Sequence, residues 1–300
     1  MGLEVYSSIE DAVRGCFGSN TTIESDPRIT CGGISSTATL LLSNGIKVFI
    51  KMNSIRNRAF FDAEEEGLEA IASTHTIGTP KLYCKGTDNK TSSSFLMMEP
   101  VERGIQKSDT WITLGREFAD MHLADASLFV RGGLYGFTND NFIGATKQTN
   151  TPKNSWIDFF RQCRLMPQLK MAEHAMSSRD MEAAGRLLDK LDDLLEEPSR
   201  PSLLHGDMWG GNHLVGQNGK AILIDPAAYV GHAEADIAMT EMFSPLPRDF
   251  YRGYHEKIPE NAGYRDRCDL YNLYHYLNHF NLFGGGYLTT AMRIIHHYAG

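Results

Sequence analysis

The segment LLHGDMWGGNHLV, residues 203–215, constrains this chain more strongly than any other stretch. It sets His205, Asp207, Trp209 and Asn212 around two adjacent glycines, and neither a helix nor a strand runs naturally through such a composition. Apolar residues flank it on both sides. We therefore predict a polar loop held against a core at both ends, which is a frequent setting of binding and catalytic sites.

A short β-hairpin is predicted directly after this loop. HLV (213–215) and AILID (221–225) read as its strands, and GQNGK reads as its turn. Because a hairpin returns the chain to its start, Asp225 should come back beside Asn212. Together with Asp207, these residues would form a cluster of hard oxygen ligands that suits Mg²⁺.

This cluster has the layout that phosphoryl transfer requires. In this interpretation Asp207 orients the attacking hydroxyl and takes its proton, while Asn212 and Asp225 hold a metal ion that bridges the phosphates. The same reaction needs a cation that binds the phosphates and an anion that holds this cation in place.

The first hundred residues supply such a pair. ATLLLSNGIKVFIKM (38–52) has two apolar runs around Asn44-Gly45, which predicts a hairpin, and Lys51 stands at the end of its second strand. NRAFFDAEEEGLEAIAST (57–74) has helical spacing, with its acidic residues on the face opposite the apolar ones. A strand Lys paired with a helix Glu is the protein-kinase-like arrangement.

Two neighbouring segments fit the same interpretation. The Gly-rich turn CGGISST precedes the first strand and can offer backbone N–H groups to phosphates. KLYCKG and SSFLMME read as a second hairpin, after which FLMMEPV (95–101) would connect the two halves of the chain and meet the edge of adenine. Met97 and Met98 are expected in the core, and His205 is expected to hold its loop by hydrogen bonds.

From residue 108 onward the apolar period becomes helical. Helices are predicted near 108–126, 155–175, 179–197 and over much of 233–300. The sequence thus predicts an α+β, bilobal protein-kinase-like fold. Residues 1–100 would form a small β-rich ATP-binding lobe with one main helix, and residues 101–300 a larger, mainly helical lobe that carries the catalytic and substrate-binding sites.

Composition narrows the partners and the compartment. The 300 residues are 42% hydrophobic and 22% charged, with a net charge of −8 and no basic run, which disfavours a nucleic-acid partner. No apolar run approaches transmembrane length, so no membrane association is expected. Five scattered cysteines without CxxC spacing fit a reducing cytoplasm. We expect a soluble cytoplasmic protein that is a monomer or a weak homodimer.

LLHGDMWGGN followed by IDPAAYVGHAEADIAM resembles the signature of the fructosamine/ketosamine 3-kinase family, which belongs with aminoglycoside phosphotransferases and choline kinases in the protein-kinase-like fold. HGDxxxxN alone would give only that broad superfamily. Trp209, the step Asp225-Pro226-Ala227 and the YxGHxExD run that ends at Asp236 narrow it to the family. Similar segments extend over nearly the whole chain.

The resemblance implies ATP and Mg²⁺ as cofactors and a ketoamine, free or as a glycated lysine, as the acceptor. The 3-phosphorylated product would eliminate its phosphate and free the amine, which implies deglycation repair. The resemblance also implies a role for each site residue. Asp207 would be the catalytic base, Asn212 and Asp225 the metal ligands, and Trp209 a wall against which the sugar stacks. The nucleotide would be bound by a phosphate turn (Gly32, Gly33, Ile34 and Ser35), by the phosphate clamp of Lys51 and Glu64, and by backbone contacts of Glu99 and Val101 with adenine.

The run after the hairpin has three further assignments within the family pattern. Asp236 is expected to brace the catalytic loop. His232 and Glu234 are assigned to the substrate, with the capping of a helix as the alternative for both.

Two departures from the family pattern are visible. Many relatives carry a Cys between the glycines and the Ile of the Gly-rich turn, whereas here Gly33 precedes Ile34 and the nearest thiol, Cys31, lies two residues before Gly33. This argues against redox control through that turn. Lys147 stands where Pro is expected and would bear on which amine-bearing acceptor is used.

Three other interpretations stay open. The same fold can serve another acceptor, such as an aminoglycoside, choline or methylthioribose. The chain can be a non-catalytic, nucleotide-binding pseudokinase, although the joint presence of Lys51, Asp207, Asn212 and Asp225 speaks against it. His205, Asp207 and Asp225 can also form a transition-metal site in a hydrolase, which would leave the Gly-rich turn and Lys51 without a role.

Overall fold

The N-terminal part of the chain is built on a six-stranded sheet. The computed structural model describes residues 2–24, 29–31 and 34–300, without the side chain of residue 31. The strands are β1 (Val5–Tyr6), β2 (Thr30–Cys31), β3 (Ser36–Leu41), β4 (Lys47–Ser54), β5 (Leu82–Asp88) and β6 (Ser93–Met98). Their order is β1-β5-β6-β4-β3-β2, and only the β1–β5 pair is parallel.

Both predicted N-terminal hairpins are present. β3 and β4 pair in register from Ser36 opposite Met52 to Leu41 opposite Lys47, so Lys51 lies near the end of the paired region. The turn contains Gly45 at φ +82°, a left-handed conformation that glycine adopts without strain. β5 and β6 form the second hairpin, and β6 leads directly into the connection to the C-terminal part.

Two helices cover opposite faces of this sheet. α1 (Ile9–Phe17) packs Ala12 and Val13 against one face, and α2 (Arg58–Ser73) packs Phe61 and Leu68 against the other. α2 is the predicted main helix, found within one residue of its expected ends. α1 was not predicted; it begins after Ser8, whose hydroxyl accepts the backbone N–H of Asp11 and so caps the first turn.

The C-terminal part is mainly helical and surrounds one large apolar core. Its helices are α3 (Thr110–Leu123), α4 (Trp156–Phe159), α5 (Met166–Ala172), α6 (Ser178–Asp189), α7 (Leu191–Leu194), α8 (Ala233–Met242), α9 (Arg248–His255), α10 (Tyr264–Phe283) and α11 (Tyr287–Ala299). The helix predicted over 155–175 is interrupted by a π-helical stretch, Phe160–Leu165, since Pro167 lacks the N–H that a continuous helix would use. The helix predicted over 179–197 ends at Asp189 and is followed by the single turn α7.

Three small sheets in this part carry the loops of the site. They pair β7 (Asn141–Ile143) with β8 (Thr146–Gln148), β9 (Ser202–Leu204) with β12 (Tyr229–Gly231), and β10 (His213–Val215) with β11 (Ala221–Leu223), each pair antiparallel. The β10–β11 hairpin confirms the prediction made for the segment after HGDMWGGN. In the described part of the chain, no helix has both the length and the apolar character that a membrane crossing requires.

Helices α3 and α9 cross at two glycines. A Cβ atom added to Gly115 would lie 2.0 Å from the carbonyl oxygen of Phe250, and one added to Gly253 would lie 2.2 Å from that of Ile112. These are backbone atoms within helices, so they cannot move aside independently. The absence of side chains at both positions therefore sets the closeness of the crossing.

Gly115→Ala should destabilise the protein by about 2 kcal/mol or more, because the new methyl group forces the two helices apart. Gly185→Ala is the matched control, since this exposed position in α6 has no atom within 4 Å of an added Cβ. There we expect a change of less than about 1 kcal/mol, in the stabilising direction, from helix propensity alone. Urea unfolding of the two variants measures both effects, and equal stabilities would contradict the proposed crossing.

Candidate active site

A buried carboxylate holds the HGDMWGGN loop in place. The backbone N–H groups of His205 and Gly206 donate to Asp236 Oδ2 and Oδ1, at 2.6 and 2.8 Å. Asp236 lies in the first turn of α8 and is 1% exposed. Its third partner is His122 Nε2, at 3.2 Å, whose other ring nitrogen lies 2.7 Å from the Tyr254 hydroxyl. These are the contacts of a residue that braces the loop.

These hydrogen bonds also determine the ionisation state of the Asp236 side chain. Burial by itself raises the pKa of a carboxyl group, but the hydrogen bonds from His122 and from the Gly206 N–H hold the pKa of Asp236 below its ordinary value of 3.8. Asp236 is therefore a carboxylate at neutral pH, and it matches two backbone donors that would otherwise be buried without partners.

His205 and Gly206 shape the loop from within. His205 uses both ring nitrogens locally, since Nε2 lies 3.0 Å from the Ile224 carbonyl oxygen and Nδ1 accepts the Asp207 N–H at 3.3 Å. Burial lowers the pKa of His205, which favours the neutral ring. Gly206 adopts φ +79°, and a Cβ atom there would lie 2.1 Å from the Ala227 carbonyl oxygen. The loop can therefore approach the segment after Asp225 only with glycine at this position.

Asp207 faces Asn212 across the loop. Asn212 Nδ2 donates to Asp207 Oδ2 at 2.9 Å and to the Asp207 carbonyl oxygen at 2.8 Å, which leaves Oδ1 of Asp207 for another partner. Burial raises the pKa of Asp207 to about 8, and the nearby carboxylates of Asp225 and Asp236 act in the same direction. A cation bound at Asp225 would oppose this shift.

The predicted return of the chain to the loop is present in the structure. The Ile224 N–H donates to the Asn212 carbonyl oxygen at 3.0 Å, which sets Asp225 one residue beyond that contact. Asp225 has φ +54°, a conformation that is uncommon for residues other than glycine. Such a backbone conformation at a loop carboxylate is a frequent feature of functional sites.

Lys51 joins the two halves of the site. Its ammonium lies 2.5 Å from Glu64 Oε1 in α2 and forms a second ion pair with Asp225. Burial by itself lowers the pKa of a lysine, but the two carboxylates outweigh this and hold the pKa of Lys51 above its ordinary value. The ammonium is therefore charged and fixed where β4, α2 and the Asp225 loop converge.

The donor set at this point fits Mg²⁺. Asn212 and Asp225 offer an amide and a carboxylate oxygen, which are hard ligands, and the contact with Lys51 demonstrates that Asp225 accepts a cation. Among the described residues there is no group of three or more His, Cys, Asp or Glu side chains able to hold a metal. Both ring nitrogens of His205 are occupied by hydrogen bonds. The transition-metal interpretation therefore has no support in the described structure.

The connection between the two halves lines a cleft of about 520 Å³. Glu99 and Val101 form part of its wall, together with Lys47, Pro80 and Ile222. No described residue donates to the Glu99 carbonyl oxygen or accepts the Val101 N–H. One free acceptor and one free donor, two residues apart on the backbone, match the hydrogen-bonding edge of adenine. Met97 and Met98 are buried in the core, as expected.

The phosphate turn is described in part. Ile34 is exposed, and its carbonyl oxygen and the Ser35 hydroxyl both contact Asn53 Nδ2, at 2.9 and 3.2 Å. Gly32 and Gly33 lie outside the described residues, as does the side chain of Cys31.

The three residues assigned to the substrate, Trp209, His232 and Glu234, differ in their surroundings. Trp209 is 42% exposed within the HGDMWGGN loop, two residues from Asp207. His232 instead caps α8 by accepting the Glu234 N–H at 3.1 Å, and Glu234 binds the Arg267 guanidinium at 2.7 and 2.8 Å. His232 thus caps the helix, which is the alternative given for it, and Glu234 is held in a buried ion pair at the start of that helix. A role of either residue in substrate binding stays a prediction.

Replacing Asp236 tests the brace. Asp236→Ala leaves two backbone donors unmatched and should cost on the order of 2–4 kcal/mol of unfolding free energy at neutral pH. Because the folded-state pKa is lowered, this contribution is present above the ordinary value of 3.8 and is lost as the pH falls through the lowered value. The gap between wild type and variant, measured by urea unfolding, should therefore close at acid pH. A gap independent of pH would contradict the assignment. Asp249→Ala, at a partly exposed helix position, is the control and should cost less than about 1 kcal/mol.

The sequence of this chain is similar to those of known kinases. The family model described as "Fructosamine kinase" matches residues 5–299. A probable ketoamine kinase of Synechocystis sp. is 39% identical over 89% of this chain and 88% of its own length. The mouse ketosamine-3-kinase is 35% identical over 83% of this chain and 87% of its own length.

Solved structures extend the similarity to the fold. A Thermobifida fusca protein assigned as a fructosamine-3-kinase superposes with a TM-score of 0.82, at 29% identity, over 98% of this chain and 99% of its own. An aminoglycoside phosphotransferase mutant in complex with AMP-PNP and hygromycin B has a TM-score of 0.59 at 15% identity, over 98% of this chain and 99% of its own, which is a likeness of fold alone. The predicted kinase-like fold is thus confirmed, and the chain belongs to the fructosamine kinase family of phosphotransferases.

Proposed function

We propose that this protein transfers the γ-phosphoryl group of ATP to the 3-hydroxyl of a ketoamine, either free or attached to a protein lysine. The observation that carries the proposal is the arrangement of Asp207 beside Asn212, with Lys51 held between Asp225 and Glu64. Relatives named ketoamine kinase, ketosamine-3-kinase and protein-ribulosamine 3-kinase support the acceptor class.

Asp207 is the base of this mechanism. Asn212 occupies Oδ2, so Oδ1 is the oxygen that can accept the proton of the attacking hydroxyl. Burial raises the pKa of Asp207, and a cation at Asp225 would oppose this shift, so that the carboxylate is ionised and able to take the proton when the nucleotide and its metal are bound. The brace by Asp236 keeps this carboxylate in position, since it fixes the two residues directly before it.

Lys51 and the metal ligands act on the phosphates. Glu64 holds the Lys51 ammonium in place, and phosphate oxygens can replace Asp225 as its second partner. Asn212 and Asp225 would hold Mg²⁺, which neutralises charge on the phosphates when it is bound. The Glu99 carbonyl and the Val101 N–H would bind the adenine edge.

Trp209 is the residue assigned to the acceptor site. The exposed ring of Trp209 offers a flat wall against which the sugar can stack beside Asp207. A phosphate on the carbon next to the ketone converts that hydroxyl into a leaving group. Elimination of the phosphate from the enol form would leave an imine, and hydrolysis of this imine by water would free the amine and a deoxy-dicarbonyl sugar, which gives a deglycation reaction. A cytoplasmic monomer or weak homodimer stays part of this proposal.

Asp207→Ala should lower ketoamine-dependent ADP release by roughly a hundredfold or more, because general-base catalysis typically contributes that much. The assay uses Mg-ATP with ribulosyl-lysine or fructosyl-lysine, and unglycated lysine with free fructose is the acceptor control. Mg-ATP should still raise the melting temperature of the variant, which separates lost chemistry from lost folding. Full turnover in the variant, or no turnover with either ketoamine in the wild type, would contradict the proposal.

Asp225→Asn should remove the metal dependence of nucleotide binding. In the wild type, ATP with Mg²⁺ at a hundred times its Kd should stabilise the fold by about 2.7 kcal/mol, and ATP with EDTA should stabilise it much less. In the variant the two conditions should give nearly equal shifts of the melting temperature. A wild-type difference between Mg²⁺ and EDTA that persists in Asp225→Asn would show that Asp225 is not a metal ligand.

A further inference from the structure

The β7–β8 hairpin touches both halves of the active site. One of its faces is buried and polar, with Asn141 and Gln148 each 2% exposed and paired across the hairpin. Phe142 and Lys147 lie on the other face, where Lys147 is exposed and forms an ion pair with Asp140 at 3.2 Å. The proposed mechanism uses no residue of this hairpin, although Lys147 is expected to bear on the choice of acceptor.

The outer face of the hairpin contacts α2. The rings of Phe142 and Phe60 meet edge to face, with centroids 4.4 Å apart and planes at 88°. Just before β7, Asn139 Nδ2 donates to both carboxylate oxygens of Glu66, at 3.0 and 3.1 Å. One apolar and one polar contact thus join α2 to the C-terminal part.

These contacts lie beside Glu64. Phe60, Glu64 and Gly67 occupy positions i, i+4 and i+7 of α2 and therefore share one face of the helix. At Gly67 an added Cβ atom would lie 3.0 Å from Pro226, the residue after Asp225. The carboxylate that holds Lys51 therefore lies between two points at which α2 is fixed to the C-terminal part.

The inner face of the hairpin holds the segment that follows Asp225. Asn141 Nδ2 donates to the Ala228 carbonyl oxygen at 2.7 Å, and Gln148 Nε2 donates to that of Ala227 at 3.1 Å. The Tyr274 hydroxyl fixes the Gln148 amide by donating to its oxygen at 2.7 Å. The same small element therefore fixes the backbone next to a metal ligand and the helix that carries Glu64.

We infer that the β7–β8 hairpin is a positioning element for phosphate binding: Phe142 and Asn139 keep α2 in place so that Glu64 stays on Lys51. Asn141 and Gln148 keep the Asp225 loop in register with the same cluster. In this inference these four residues act through Lys51, Glu64 and Asp225, because the contacts that they make are with α2 and with the segment after Asp225. The inference rests on the proposed function for the role of Lys51, but not for the identity of the acceptor.

The test combines hydrogen exchange with a double-mutant cycle. Phe142→Ala, Glu64→Gln and the double variant are compared with wild type, and Phe142→Leu restores part of the lost contact. Phe280→Ala is the matched control, because this part-buried ring packs against His174 and the C-terminal core without contacting α2. Exchange is measured on peptides covering residues 58–73, and kcat/KM is measured for ATP.

We expect Phe142→Ala to speed exchange in α2 and to lower kcat/KM for ATP roughly tenfold, as is usual for residues coupled in one network. The KM for the ketoamine should change less than about twofold, and Phe142→Leu should recover part of the loss. In the Glu64→Gln background the same substitution should cost almost nothing further. The control should leave α2 exchange unchanged.

Unchanged α2 exchange in Phe142→Ala would overturn the inference, as would kinetic losses that multiply in the double variant. If the wild type turns over no ketoamine, the proposed function fails, and the exchange measurement still decides the inference by itself. If Phe142→Ala does not fold, Asn139→Ala and Phe142→Leu take its place, with the same direction of change expected in α2.

Discussion

The active site depends on the two ion pairs that the Lys51 ammonium forms with Glu64 and Asp225. A buried ammonium is costly unless carboxylates surround it, and removing one partner leaves an uncompensated charge. The three residues come from a strand, a helix and a loop that are distant in the chain. Their meeting therefore requires the sheet, α2 and the C-terminal part to assume one mutual arrangement. The ionic contact thus ties the architecture to the chemistry.

A second set of buried polar contacts fixes the loop that carries Asp207. Asp236 matches the backbone donors of the catalytic loop, and His205 joins that loop to the segment before Asp225. With its backbone fixed in this way, the loop can present Asp207 to the cleft while burial raises the pKa of this carboxyl group. A cation bound at Asp225 would oppose this shift and favour the ionised carboxylate, which is the form that can take a proton.

Much of the fold was predictable because its signals are local. Asn44-Gly45 predicted the first hairpin from turn chemistry, and the strands around GQNGK predicted that the chain returns to Asn212. Spacing of apolar residues predicted α2 and α3. The family resemblance added Glu64 as the partner of Lys51, and the structure brings these two side chains together.

The features that the sequence did not predict depend on long-range contacts or on very short elements. β9 and β12 have three residues each, too few to display a period, and α1 lies in a region that reads mainly as strand. No local signal marks His122 as a contact of Asp236. Glu234 was assigned to the substrate from the family resemblance, and only the fold reveals that Arg267 binds it. The hairpin contacts of Phe142 with α2 likewise have no local signal.

The position of the phosphate on the product tests the central claim most directly. Ribulosyl-lysine or fructosyl-lysine is incubated with the protein and Mg-ATP, and the product is identified by correlated phosphorus and proton magnetic resonance. The account predicts a phosphate coupled to the proton on carbon 3, formed in equal amount to ADP. Phosphate on another hydroxyl, or ADP released without a phosphorylated ketoamine, would contradict it.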